Sequence, residues 1–83
     1  MNEEILRFVN AAEGKYPQEL ERQFPHIFSK ILALWNSPDI DKYLNDLMID
    51  TRDQRRHGFP PDVASDILSL IMTRDKVANK QGD

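Results

Sequence analysis

Phe24-Pro25-His26-Ile27-Phe28-Ser29-Lys30-Ile31-Leu32-Ala33-Leu34-Trp35 is the stretch on which the fold turns. Its large apolar residues recur at intervals of three and four, which gathers them on one side of an α-helix. A proline inside a helix costs about 3 kcal/mol, so Pro25 has to open the helix, not interrupt it. The pattern predicts a central helix at about 25–36, with Trp35 on its buried stripe beside Phe28, Ile31 and Leu32.

Toward the N-terminus, Tyr16, Leu20 and Phe24 lie four apart, and Pro17 suits a first helical turn. A short extra helical turn near 17–23 follows. Before it, Asn2 is a good N-cap, and Glu3 and Glu4 meet the positive end of the helix dipole. Ile5, Val9 and Ala12 share one face, widened by Leu6 and Phe8. Gly14 is expected to supply a left-handed stop. These features predict a helix at about 3–13.

Toward the C-terminus, Ser37-Pro38-Asp39 combines a capping residue, a proline suited to the first position and an acid in the first turn. Ile40, Tyr43, Leu44, Leu47 and Met48 then define a helix at about 38–48. Asp50 to Gly58 is almost devoid of apolar residues and is expected to be a charged connector. Phe59-Pro60-Pro61 restarts the chain, because a proline disfavours helical geometry in the residue before it. Val63, Ile67, Leu70 and Ile71, with Leu68 beside them, predict a last helix at about 61–76. Met48 and Met72 end their stripes and are expected to fill gaps in the core. Residues 78–83 have little to bury and are expected to form a flexible tail.

No segment alternates with the period of two that marks a strand. The predicted fold is all-α: one domain over 1–77, a compact bundle of four main short helices plus the turn near 17–23. A chain of 83 residues builds only a small core and gains from association. It has no cysteine, which removes disulfides and thiolate metal sites. The longest wholly apolar run, Ile31 to Trp35, is too short to span a bilayer. The opening Met1-Asn2-Glu3-Glu4 is acidic where a signal peptide is basic, so a cytoplasmic location is expected. The net charge of −3 makes nucleic acid a poor default partner, since phosphate binding needs a cationic surface.

The connector carries the strongest candidate site. Arg52, Arg55 and Arg56 could make forked contacts to carboxylate or phosphate. His57 lies beside them, and Phe59 could anchor a partner. The plainer reading pairs these arginines with Asp50, Asp53 or Asp62 and uses Phe59 to staple the last helix to the core. A DNA-reading helix-turn-helix is disfavoured, because its turn is about three or four residues and because Asp62 and Asp66 at the next helix start would repel phosphate. His26 and His57 do not make up the three or four ligands of a metal site. No nucleophile, acid–base pair or phosphate loop stands out, so neither a catalytic residue nor a cofactor is assigned. Trp35 is a candidate hydrophobic anchor, set against a core role.

From about Phe24 to Met72 the chain resembles a family of small uncharacterised bacterial proteins. The likeness rests on Phe24-Pro25-His26-Ile27, Leu34-Trp35, Tyr43-Leu44 and above all Arg56-His57-Gly58-Phe59-Pro60-Pro61-Asp62-Val63. It implies a bacterial cytosolic protein and brings no activity, cofactor or ligand with it. The expected function is a small non-catalytic protein-interaction module, self-association included. Nucleic-acid or anionic-ligand binding through 52–56 is the alternative, and an enzyme is a remote third.

Overall fold

A computed structural model describes the backbone of residues 1–53 and 58–81, and the side chains of 1–49 and 58–78. The described residues contain five helices and no strand: α1 (Glu3–Ala11), α2 (Gln18–Gln23), α3 (Pro25–Leu34), α4 (Ile40–Asp53) and α5 (Pro61–Gln81). The all-α bundle and its order are those expected from the spacing of apolar residues. α5 packs on α2 and α4, and α3 packs on the same two helices. α1 is joined to the rest at Phe8, which meets Trp35 edge to face with ring centroids 5.1 Å apart.

The core is built from the predicted stripes. Ile5 and Val9 of α1, Leu20 of α2, Phe28 and Ile31 of α3, Ile40, Leu44 and Leu47 of α4, and Val63, Ile67 and Leu70 of α5 are all buried, joined by Tyr16, Trp35 and Phe59. Removing such side chains from water at about 25 cal/mol per Å² is the main favourable term holding the bundle together.

α3 ends at Leu34, short of the expected 36. Helix ends differ from expectation in four further places, each for a local reason. α1 stops at Ala11, and the left-handed residue that turns the chain is Glu13, at φ 57°, not Gly14. The Glu13 N–H donates to the Asn10 carbonyl (3.2 Å) and the Gly14 N–H to the Val9 carbonyl (2.7 Å), the paired bonds of a Schellman ending. Second, Ser37 does not cap a helix starting at 38. Its Oγ accepts from the Asp39 N–H (3.1 Å) within a turn, and α4 begins at Ile40.

Third, α4 continues through Asp53, into residues expected as connector. Asp50 to Asp53 contain neither proline nor glycine, so the helix outruns its own buried face. Fourth, α5 passes 76 and runs to Gln81, so residues 78–81, expected as tail, extend the last helix. Ala78, Lys80 and Gln81 are good helix formers, and a helix propagates once nucleated. Met72 is 62% exposed and does not fill the core.

Candidate functional site

α2 is the weakest element by sequence. It has six residues, and Pro17 at its N-cap offers no side-chain acceptor. Its first N–H groups need a partner from elsewhere, because buried backbone donors left unpaired are costly. Asp66, in α5, supplies it. Asp66 Oδ2 accepts from the Glu19 N–H (2.9 Å) and the Leu20 N–H (3.2 Å), the two positions a local N-cap would serve. The Asp66 side chain is wholly buried. Among the described residues its other oxygen, Oδ1, has no aligned hydrogen-bond donor, and it faces the Lys15 ammonium at 3.2 Å as an ion pair.

Asp66 belongs to the register of the buried stripe, three residues after Val63 and four before Leu70. Thr73, three after Leu70, is the second buried polar residue of that face. Its hydroxyl donates to the Ser69 carbonyl (2.8 Å). A Cβ on Gly14 would lie 2.5 Å from Thr73 Oγ1 and 3.0 Å from Cγ2. Gly14 is therefore needed for close approach of the 12–15 linker to α5, not for its backbone angle. Lys76, one turn on, donates from Nζ to the Ala12 carbonyl (3.1 Å), closing the C-terminal end of α1.

Further polar links fasten α5 to the rest. Gln23 Nε2 donates to Asp62 Oδ2 (3.2 Å) and to Glu19 Oε2 (2.9 Å). The Glu19 carboxyl is held below its ordinary 4.5, first by the hydrogen bond from Arg22 and then by that from Gln23. Arg74 lies over the Trp35 ring, 4.7 Å from its centroid, and donates from Nε to Asp41 Oδ1 (2.9 Å). Arg74 thus clamps α5 to the start of α4. A cleft of about 630 Å³ opens there, lined by Phe8, Trp35, Pro38, Arg74 and Val77 among others.

No family model matches this chain, and no curated protein or solved structure matches it. The resemblance over 24–72 therefore yields no family assignment, and chemistry has to be read from the side chains themselves.

The predicted site residues fall in different places. Trp35 is buried, covered by Phe8 and Arg74. Phe59 is also buried, and its ring meets Phe24 edge to face at 4.9 Å. Neither is presented on the surface as an anchor: Trp35 closes the core at the end of α3, and Phe59 does so just before the start of α5. The Arg52 backbone lies in α4, while its side chain, together with Arg55, Arg56 and His57, is outside the described residues. Asp66 does not project from the start of α5 as expected, since it is buried beneath Lys15, which leaves Asp62 as the exposed acid there. Among the described residues no three His, Asp or Glu side chains converge as metal ligands. Nor is any described helix long and apolar enough to cross a membrane.

What the surface does present is the outer side of α5. Leu68 is 40% exposed and Met72 62% exposed, one turn apart. With Ser65, Ser69 and Lys76 they form one wall of an open groove of about 640 Å³, whose other wall is the 12–15 linker. Apolar spacing alone does not reveal this face, because Leu68 beside the stripe and Met72 at its end differ from the buried residues only in exposure. Asp66 and Thr73 were legible in principle, as polar residues set in an apolar register.

Proposed function

We propose that this chain is a non-catalytic protein-interaction module whose contact surface is the outer face of α5. The observation that carries the reading is the adjacent exposure of Leu68 and Met72 along an open groove. A leucine and a methionine one turn apart on a helix suit apolar docking of a partner, and methionine adapts its shape to the surface it meets. Asp66, the buried carboxylate of the described residues, is held by the Glu19 and Leu20 amides and by Lys15, which supports a structural role for it.

The test replaces Leu68 and Met72 together by lysine in the full chain. Both side chains face solvent, so the circular dichroism spectrum and unfolding midpoint should move little. Affinity capture from the native host should lose the proteins retained by the wild type. Capture unchanged by the double variant would remove this surface from the reading. Retained binding of mixed oligonucleotides, weakening steeply with salt, would instead favour Arg52, Arg55 and Arg56 as an anion site.

A further inference from the structure

We infer that the occupant of this face is a second copy of the chain, with its α5 lying antiparallel to the first across a two-fold axis beside Ser69. The inference rests on the proposed interaction role and names the partner. Asp62, Ser65, Ser69, Met72 and Lys76 follow one another at intervals of three and four along α5, and Leu68 adjoins them. None of the six is buried.

The order of these residues is self-complementary. Ser69 is seven residues, two helical turns, from Asp62 and seven from Lys76. An axis beside Ser69 therefore sets Asp62 of each copy against Lys76 of the partner subunit, twice, at the two ends of the contact. Between them, Ser65 and Ser69 offer small surfaces opposite Met72 and Leu68 of the partner subunit, so large side chains meet small ones in both directions. A parallel pairing would instead bring Asp62 to Asp62 and Lys76 to Lys76, with like charges opposed.

The existing bonds leave capacity for these pairs. Lys76 uses one of its ammonium's three donors on Ala12, and the Asp62 carboxylate accepts from Gln23 and from the Val63 N–H with lone pairs remaining. An isologous contact of this kind closes on itself and forms a dimer without propagating. The apolar part is small, so the dimer is weak and depends on concentration.

The chain has no cysteine, so a single introduced thiol reports the geometry directly. Sedimentation equilibrium of the wild type should show a monomer–dimer equilibrium, and Met72→Lys should weaken it by about tenfold or more. Ser69→Cys should form a disulfide-linked dimer under mild oxidation, while Ser65→Cys, four residues off the axis, should not. Asp62→Lys and Lys76→Asp should each weaken the dimer, and mixing the two variants should restore it by re-forming opposite-charge pairs. Circular dichroism checks that each variant folds.

A wild type that stays monomeric up to about 1 mM overturns the inference. So does a dimer indifferent to Met72→Lys, or equal cross-linking at 65 and 69. If the chain is monomeric but the Leu68/Met72 double lysine variant still loses its captured partners, the second-copy inference fails and the interaction role stands. If capture is also unchanged, both fail.

Discussion

Glu13 and Gly14 divide between them two tasks that glycine usually performs alone. Glu13 takes the left-handed angle, at φ 57°, while Gly14 provides the clearance against Thr73. A left-handed residue with a side chain costs about 1–2 kcal/mol, part of which glycine returns through its looser unfolded chain. Glu13→Gly should therefore stabilise the protein by about 0.5–1 kcal/mol, read as a raised urea midpoint with unchanged slope. Gly14→Ala should destabilise by about 1–3 kcal/mol through overpacking. In a Thr73→Ala background the nearest γ atoms are gone, so the same substitution should cost much less. A double-mutant cycle measures that coupling. Asp66→Ala should destabilise by about 2–4 kcal/mol, because it leaves the Glu19 and Leu20 amides without an acceptor, while the largely exposed Lys15 loses little. Asp66→Asn keeps one acceptor and should fall between. Equilibrium denaturation ranks the three forms.

Tyr43 gives a pH dependence at the same scale. Its hydroxyl is pushed above its ordinary 10.0 by burial. The folded state thus holds the phenolic proton more tightly than the unfolded state does. Stability from this group is complete below pH 10 and declines as pH rises through the raised value. Tyr43→Phe should make the fall in stability above pH 10 shallower, followed by denaturant midpoints alongside the absorbance of ionised tyrosine.

Among the elements, α2 shows how a helix too short to persist alone can be completed by its neighbours. Isolated helices below about 12–15 residues are marginal in water. α2 is closed at its N-terminal end by Asp66 and tied near its C-terminal end by Gln23 to Asp62. Its Glu19 and Leu20 amides should exchange slowly in the wild type and much faster in Asp66→Ala, a difference visible by hydrogen exchange. Phe59→Ala should cost about 3–5 kcal/mol, because it opens a cavity under the start of α5 and removes the Phe24 ring contact.

Element order and core faces were legible because apolar spacing reports burial directly, as at Ile5, Val9 and Leu20 or Ile40, Leu44 and Leu47. The ends of α4 and α5 were not legible, because a helix without a breaker continues past its last buried residue. The Asp66 cap was hidden for a different reason. It joins groups more than forty positions apart, and a stripe analysis treats an acid as solvated unless a partner is already known.

For the whole molecule, α5 is the spine to which the other parts are fastened by different polar means. Asp66 holds α2, Lys76 holds the end of α1, and Arg74 holds α4 and covers Trp35. Apolar burial supplies most of the stability, but these links fix how each helix sits against the spine. The same helix turns Leu68 and Met72 outward, so the surface proposed for recognition is the reverse side of the element that organises the core.

The Asp66 link also bears on how the chain is made. Ribosomes release the N-terminal helices first, yet the acceptor that completes α2 lies 46 to 47 positions downstream of the amides it serves. A nascent chain stalled before Asp66 emerges should remain open to protease between Tyr16 and Phe24. One stalled after Lys76 has cleared the exit tunnel should resist. Assembly of this bundle thus waits on late synthesis, and its earliest segment spends the longest time exposed to chaperones.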